Sequence, residues 1–425
     1  MFFSARKARS AGDDIVPSRF LGIGKAASFI LLFALLCDAR PAAAQFKQLG
    51  PKLIGEGSVG RTFRGIAVAL SGDGNTAIMG GPSDNSGVGA AWVFTRRGSA
   101  WIQQGSKLVG TGGLKPAQQG YAVALSADGN TAILGGFREA WVFTRSGGIW
   151  TQQGSTLVGT GAVGDRLASG GLSAALSADG KTAILGADAD NSAVGAAWVF
   201  SRNDGTWTQQ GSKLVGTGSS GPTGQGHSVA LSADGNTALI GGYGDSGIGA
   251  AWVFTRSGGI WTQQGSKLVG SGAAGRSGQG FSVALSGDGN TALIGGFADD
   301  SLNGAAWIFT RKDSVWTQQG SKLVGSGAVG RIVHQGHSVA LSADGSTAIV
   351  SGVRDAWVFA RSGDTWSQLE SKLISIDPDI NAAQYGLSVA LSASGRIAIV
   401  GAWTDTLEGG AQVFALPRPH SPEAK

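Results

Sequence analysis

The sequence holds very little of several residue types on which function often depends. Among 425 residues there are one cysteine, four histidines and ten prolines. The cysteine is Cys37, inside the N-terminal segment that we expect to be removed, so disulfides, thiolate metal sites and cysteine nucleophiles are excluded from the remainder. Charged residues make up only 14% of the chain. A fold without disulfides and with few charges must be stabilised by a large apolar core.

Glycine is abundant where cysteine, proline and charge are scarce. The chain has 73 glycines, and 42% of its residues are hydrophobic. This is too much glycine for a helical bundle and too much apolar character for a disordered chain. The composition therefore favours an all-β protein with many turns.

The distribution of charge argues against a nucleic-acid partner. The formal net charge is +5, but residues 1–44 contribute six basic and three acidic side chains, which leaves 27 basic against 25 acidic side chains in the rest. A surface for nucleic acid would need lysine and arginine clustered on the folded part of the chain. We expect neither nucleic acid nor an anionic membrane surface as a partner.

Residues 1–44 show the three regions of a secretory signal peptide. Basic residues precede an uncharged apolar run at 26–37, and small residues follow at 42–44. The run is shorter than the roughly 20 residues that a membrane span needs. We predict Sec-type export to the periplasm or the exterior, cleavage after Ala44, and no membrane span in the mature chain. Residues 417–425 are predicted to form a disordered tail.

One unit of about 54 residues recurs seven times. Each copy contains a segment of the S-x-D-G type, whose first serine is Ser71, Ser126, Ser177, Ser232, Ser286, Ser342 or Ser392. Six copies continue with W-V-F or W-I-F, and a second tryptophan follows nine residues after the first. Each unit divides into four apolar runs separated by turn signals, and its Asp-Gly dipeptide predicts a tight hairpin between the first two. Residues 45–416 are therefore predicted to form an all-β, seven-bladed β-propeller of four-stranded blades.

The two ends of the repeat region complement each other. The segment F-K-Q-L-G-P-K-L at 46–53 matches the fourth run of a unit, and the last unit stops after its third run. We predict that the N-terminal strand completes the last blade, which leaves no open sheet edge between the ends of the ring.

The unit resembles the bacterial FG-GAP repeat, which is related to the repeats of the integrin α-subunit propeller. The resemblance is carried by Gly280-Phe281-Ser282-Val283-Ala284, Gly295-Gly296-Phe297, residues 304–311, residues 316–319 and Lys322-Leu323. The aromatic residue at Phe281 is replaced by tyrosine or histidine in other units, as at Tyr121, His227 and His337. The resemblance implies an extracellular interaction platform, in some members with calcium in the blade loops, and no particular reaction.

The connections between the second and third runs carry the candidate metal ligands. Calcium takes roughly six to eight oxygen ligands, so acidic loops are where it would bind. The candidates are Asp84, Asp188, Asp190, Asn191, Asp245, Asp299 and Asp300. Asp188-x-Asp190 is the closest approach to a ligand pattern, but no copy has the full D-x-D-x-D-G spacing. The alternative interpretation is that these residues form solvated polar turns.

Other candidate sites are residues that depart from the repeat. Tryptophan rings can stack on sugars, but their regular placement predicts a role in the outer blade core. Trp403 lies outside the pattern and is the best candidate for a ligand contact. A single active site needs a unique constellation, and the non-repeated ionisable positions are Asp165, Arg166, Arg331, His334, Glu370, Asp377 and Asp379. We find no sequence motif of a serine hydrolase, a zinc protease or a phosphate-binding loop.

The sequence thus predicts an exported, monomeric, non-catalytic binding or adhesion module that recognises a protein or glycan through loops of the propeller, with calcium as the one candidate cofactor. The connections between the fourth and first runs vary most, and variable loops on a constant scaffold are where recognition usually resides. Two alternatives stay open. A lectin-like propeller would expose aromatic residues around a pocket, and a propeller hydrolase or lyase would bring non-repeated carboxylates together at the central channel.

Overall fold

The computed structural model describes residues 46–164, 173–328, 330, 332–369, 372–373, 388–402 and 409–417. They form seven four-stranded sheets, each antiparallel throughout. The strands are β1 (Lys47–Gln48); in blade 1, β2 (Val68–Leu70), β3 (Thr76–Gly81), β4 (Ala90–Arg97) and β5 (Ala100–Gln103); in blade 2, β6 (Ala122–Leu125), β7 (Thr131–Gly135), β8 (Ala140–Ser146) and β9 (Ile149–Gln152); in blade 3, β10 (Ser173–Leu176), β11 (Thr182–Ala187), β12 (Ala196–Asn203) and β13 (Thr206–Gln209); in blade 4, β14 (Ser228–Leu231), β15 (Thr237–Gly242), β16 (Ala250–Ser257) and β17 (Ile260–Gln263); in blade 5, β18 (Gln279–Leu285), β19 (Thr291–Gly296), β20 (Ala305–Lys312) and β21 (Val315–Gln318); in blade 6, β22 (Ser338–Leu341), β23 (Thr347–Ser351), β24 (Ala356–Ser362) and β25 (Thr365–Gln368); and in blade 7, β26 (Ser388–Leu391), β27 (Ile397–Ala402) and β28 (Gly410–Ala415). Short helical turns follow the second strand of four blades, at Asp84–Gly87, Asp190–Ala193, Asp245–Gly247 and Asp299–Leu302.

The innermost strands stand side by side in a closed ring. Each of β2, β6, β10, β14, β18 and β22 contacts the innermost strand of the next blade, and β26 contacts β2. β1 pairs with β28, with Lys47 opposite Ala415 and Gln48 opposite Phe414. The N-terminal strand therefore supplies the fourth strand of blade 7. The predicted seven-bladed propeller and the way its ring closes are both confirmed.

The outermost strands are shorter than the sequence suggests. In blade 4 the apolar run at 261–269 predicts one continuous strand, but the strand ends at Gln263. Gly265 has a φ of +71°, a turn conformation that interrupts the ladder. The chain returns to the sheet at Leu268, which forms an isolated bridge with Ala251.

The apolar core lies between the blades rather than within any one of them. One cluster, for example, joins Ile184, Ala197 and Val199 of blade 3 to Ile240 and Trp252 of blade 4. The Trp252 indole is fully buried and donates its Nε1 proton to the carbonyl of Thr217, at 2.9 Å. The W-V-F tryptophans are thus core residues, as predicted, and seven such interfaces replace a single central core.

The second tryptophan of each unit also joins neighbouring blades. The Trp261 Nε1 and the Arg256 guanidinium both donate to the Gln210 amide oxygen of blade 3, each at 3.0 Å, and Arg256 lies 5.4 Å above the Trp261 ring. At the seam where blade 7 meets blade 1, Leu49 takes the place of that glutamine. Among the described residues, the buried Nε1 atoms of Trp101 at this seam and of Trp207 in blade 3 have no hydrogen-bond partner.

One end of the central channel is bounded by a ring of seven backbone hydrogen bonds. The residue after the first serine of each S-x-D-G type turn donates its N–H to the corresponding carbonyl of the next blade, over 2.8 to 2.9 Å; these residues are Gly72, Ala127, Ala178, Ala233, Gly287, Ala343 and Ala393. In six of these turns the serine hydroxyl and the aspartate make local hydrogen bonds, as when Asn236 N–H donates to Asp234 at 2.9 Å, and in blade 7 Ser394 replaces the aspartate. These aspartates serve the hairpins, as expected.

The opposite end of the channel is where the seven units differ. Ser228 pairs with Gly241, so the residue before β14 and the residue after β15 lie at the same end of blade 4. We call this end of the ring the axial mouth. We define it by the residues at the start of the first strand and just after the end of the second strand of each blade. The connections from the fourth strand to the next blade also arrive here.

Candidate functional site

One aspartate of the loop between the second and third strands is almost fully buried in four blades. Asp84, Asp190, Asp245 and Asp299 are each exposed by 1% or less. Each carboxylate forms an ion pair with a lysine from the outermost segment of the same blade, which is Lys107, Lys213, Lys267 or Lys322. Each also accepts a backbone N–H from the preceding long connection, as from Ser220 to Asp245 at 2.8 Å. The interpretation of these four residues as solvated turns is therefore wrong.

Blades 2 and 6, which lack the loop, use other residues for the same purpose. Glu139 in blade 2 accepts the backbone N–H of Leu114, and Asp355 in blade 6 pairs with Lys372 at 2.7 Å. A buried carboxylate at this point thus recurs in six blades, bonded to the incoming connection in blade 2 and to a lysine in blade 6.

The remaining candidate calcium ligands are not gathered around one point. Asn191 and Asp300 are exposed, and Asp300 hydrogen-bonds Asn303 at 3.1 Å. Among the described residues no group of three or more acidic, histidine or cysteine side chains is placed to hold a metal ion. Calcium binding by these loops stays a prediction, and it would require the buried aspartates to exchange a lysine for the metal.

Six aromatic and imidazole rings form a continuous cluster at the axial mouth on blades 4 to 6. The centroids of neighbouring rings lie between 4.5 and 5.8 Å apart, and the cluster comprises His227, Tyr243, Phe281, Phe297, His334 and His337. His227 and His337 precede the innermost strands of blades 4 and 6, and Phe281 lies near the start of β18 in blade 5. We call this set the mouth cluster. His227 and His337, which replace an aromatic residue of the repeat, thus pack against neighbouring rings as an aromatic residue would.

Asp188 adds a carboxylate to the mouth cluster. It follows β11 in blade 3, is only 7% exposed, and its Oδ2 lies 2.9 Å from Nδ1 of His227. Burial and then the charge of Asp188 raise the pKa of Tyr121 and of Tyr243. Both phenols therefore keep their protons at neutral pH and can donate hydrogen bonds. Asp188 thus lies in the mouth, apart from the buried Asp190 that was paired with it as a candidate ligand.

The two histidines of blade 6 have unusual surroundings. Burial, together with the neighbouring His334 and His227, lowers the pKa of His337 from 6.5 to about 4. Burial also lowers the pKa of His334. Among the described residues, His334 Nε2 and His337 Nδ1 are buried without a hydrogen-bond partner. The cluster therefore holds neutral imidazoles with unused hydrogen-bonding capacity.

His337→Phe is expected to make the protein less sensitive to acid. Because the unfolded histidine takes up a proton near pH 6.5 while the folded one does so only near pH 4, stability falls as the pH decreases through this window. Between about pH 7 and about pH 5 the wild type should lose about 2 kcal/mol more than the variant. Phenylalanine occupies the same repeat position at Phe281, so the ring packing should be kept.

Chemical denaturation of both proteins at the two pH values measures this difference. His334 and His227 act on the pKa of His337 and are present in both proteins, so their own contributions largely cancel. Equal losses in the two proteins would contradict the lowered pKa of His337.

A small pocket opens beside the cluster, between blades 3 and 4. Its volume is about 200 Å³, and it is lined by Asp188, Ala189, Ala193, Pro222, Gly224, Tyr243 and Gly244. We call it the interblade pocket. Tyr243 is 36% exposed. Gly224 has a φ of +65°, and a side chain there would begin 3.2 Å from the Tyr243 ring, so glycine keeps the ring uncovered.

Several residues singled out in the sequence lie outside the described residues. They are Trp403, Asp165, Arg166, Arg331, Glu370, Asp377 and Asp379. Sequence reasoning missed the mouth cluster as a site because it considered His227 and His337 one at a time. The available signal was that otherwise near-identical units differ at one position, which holds Ile66, Tyr121, His227, Phe281 and His337.

Comparisons with known proteins add little to this geometry. No protein-family model and no curated protein matches the chain. Among solved structures, hydrazine synthase of Kuenenia stuttgartiensis is similar, with 12% identity and a TM-score of 0.49 over 85% of this chain and 97% of that chain. Within the described residues, none of the helical turns has the length and apolarity of a membrane-spanning helix.

Proposed function

We propose that the chain is an exported, non-catalytic binding module of the FG-GAP type that recognises its ligand at the axial mouth. The observation that carries this proposal is the contrast between the two ends of the ring. At the hairpin end the S-x-D-G type turns are nearly the same in every blade. At the mouth, the residues after the second strand are Pro82, Phe137, Asp188, Tyr243, Phe297 and Val353.

Such divergence supports recognition because a single ligand site needs a constellation that sevenfold repetition does not supply. The mouth also combines the features that a binding site uses, which are exposed aromatic surface, a few polar groups and a concave pocket. Tyr121 and Tyr243 are both 36% exposed there. The buried carboxylate and lysine pairs fasten the long connections and so hold the mouth in one geometry.

Binding at the mouth can be tested by comparing variants at the two ends. We expect Tyr121→Ala combined with Tyr243→Ala to weaken binding of the labelled exported chain at least tenfold, measured on intact bacterial cells, isolated envelope polysaccharide and a panel of immobilised extracellular proteins. Ile149→Ala combined with Ile260→Ala is the matched control, because these side chains are exposed by 70% and 69% on hairpins at the other end. Equal binding by both double variants would refute recognition at the mouth.

Export carries its own prediction. When the full chain is produced in a Gram-negative host, we expect it outside the cytoplasm and beginning at Gln45, because the signal peptide is cut after Ala44. Intact-mass spectrometry of the fractionated protein measures the new N-terminus. Full-length chain retained in the cytoplasm would contradict the assignment, and Ala44→Pro should serve as a control that blocks or displaces the cut.

A further inference from the structure

The interblade pocket has the size and lining of a site for one small ring. Its volume of about 200 Å³ is below the roughly 300 Å³ at which pockets for drug-sized ligands begin, and it corresponds to roughly seven water molecules in the liquid. Tyr243 supplies one wall, and Asp188 supplies a carboxylate next to it. Of its seven described lining residues only Asp188 is charged, and none of the seven carries a positive charge that would attract an anion.

The carboxylate of Asp188 is buried rather than exposed at the surface of the protein. The side chain is 7% exposed and is hydrogen-bonded to His227. A carboxylate has about four acceptor positions in all, and it accepts hydrogen bonds from hydroxyl groups. A cation would have to give up most of its water to reach so buried a group, which is costly. The pocket therefore suits a neutral ligand that donates hydrogen bonds.

The Tyr243 ring adds a preference for a ligand with an apolar face. Its other contacts are with His227 at 4.7 Å and Phe281 at 5.8 Å between centroids, which fix the orientation of the ring. Gly224 leaves it uncovered on the pocket side. An aromatic ring with a polar hydroxyl at its edge offers both apolar contact and a hydrogen bond to one ligand.

We infer that the interblade pocket binds one neutral pyranose unit, stacked on Tyr243 and hydrogen-bonded through its hydroxyls to Asp188. This inference rests on the proposed recognition at the axial mouth and names its ligand class. A pyranose has C–H groups on one face and hydroxyls around its rim, which match the ring and the carboxylate. The unit is either a free monosaccharide or the end of a glycan chain.

Titration of the exported chain with neutral sugars tests the inference. The probes are glucose, galactose, mannose, fucose and N-acetylglucosamine with their β1,4-linked or β1,3-linked disaccharides, followed by ligand-observed NMR and calorimetry. We expect saturable binding of at least one sugar with a Kd of about 1 mM or tighter, as a single small site would give. Tighter binding of the disaccharides identifies a glycan end, and equal binding identifies the monosaccharide.

Variants tie this binding to the pocket. Tyr243→Ala and Asp188→Asn should each weaken the sugar at least tenfold, whereas Tyr243→Phe should keep most of the affinity. Phe137→Ala is the matched control, because Phe137 holds the position of Tyr243 in blade 2 and lies outside the mouth cluster. Circular dichroism checks that each variant is folded.

The possible failures are distinguishable. If no neutral sugar binds at tens of millimolar while the tyrosine double variant still loses binding to cells or proteins, the pyranose inference falls and recognition at the mouth survives. If choline or ethanolamine binds instead and Asp188→Asn abolishes it, the ligand is a cation and the inference is equally overturned. If the double variant also binds normally, both proposals fail.

Discussion

Lys267→Met is expected to lower the free energy of unfolding by about 3–5 kcal/mol, the cost of removing one partner of a buried ion pair. Asp245 is 1% exposed, so its carboxylate cannot recover the lost interaction from water. Methionine keeps most of the volume of the lysine stem, which leaves the charge as the main difference. Urea denaturation of the wild type and the variant measures the change through the midpoint at constant slope.

The double variant Lys267→Met with Asp245→Asn is the matched control. Asparagine can still accept the N–H of Ser220 but carries no charge, so the double variant should regain a large part of the loss. Blade 2 shows that the scaffold works without this lysine, since Thr156 holds the corresponding position in that blade. A loss below about 1 kcal/mol in the single variant would mean that the pair behaves like an exposed one.

The same loop allows the calcium prediction to be tested. If Asp245 is a calcium ligand, millimolar calcium should raise the unfolding midpoint of the wild type above its value in EDTA, because a ligand of the folded state stabilises it by mass action. Asp245→Asn should reduce that rise. If the midpoint of the wild type does not change, the calcium prediction is wrong. The four buried aspartates then bind only their lysines and backbone N–H groups.

The fold could be predicted because each repeat encodes its own local geometry. The S-x-D-G type segment specifies a hairpin wherever it occurs, and the number of copies then gives the number of blades. Closure could be read from complementary ends, since residues 46–53 match a fourth strand that the last unit lacks. These signals are local or periodic and need no knowledge of contacts between distant residues.

The burial of the loop aspartates was not predicted because acidity alone suggests a solvated turn. The signal that distinguishes them is a second period, in which a lysine follows each aspartate by 22 or 23 residues, as in Asp84 with Lys107 and Asp245 with Lys267. The third partner is a backbone N–H about 25 residues upstream, which carries no sequence signature. The sequence pattern could thus have predicted the ion pairs between aspartate and lysine, but not the hydrogen bonds from backbone N–H groups.

The mouth cluster was beyond sequence reasoning for a different reason. Its rings come from three successive blades, and Asp188 comes from a fourth. Each residue alone is an ordinary variation at a packing position. The packing of successive blades brings the Phe281 ring to 4.5 Å from the His227 ring and to 5.0 Å from the His337 ring. The site therefore depends on the angle between neighbouring blades.

Gly241→Ala is expected to destabilise the protein by about 3 kcal/mol or more, through steric overlap between blades. A Cβ atom at Gly241 would lie 2.1 Å from the carbonyl oxygen of Gly280 in blade 5, and backbone cannot move away as a flexible side chain can. The same close approach occurs at Gly80, Gly186, Gly295 and Gly401. Close-packed interiors transmit such overlap rather than absorb it.

The matched control is Gly258→Ala, which separates steric overlap from backbone conformation. Gly258 has a φ of +57° with no atom near its Cβ position, so alanine there should cost only about 1–2 kcal/mol. Gly280 immediately precedes Phe281, whose ring lies 4.5 Å from that of His227. Moving blade 5 away from blade 4 should therefore also weaken ligand binding in the part of the variant that stays folded. If Gly241→Ala costs no more than the control, the spacing of the blades is not set by these glycines, and the geometry of the mouth must be held by the loops alone.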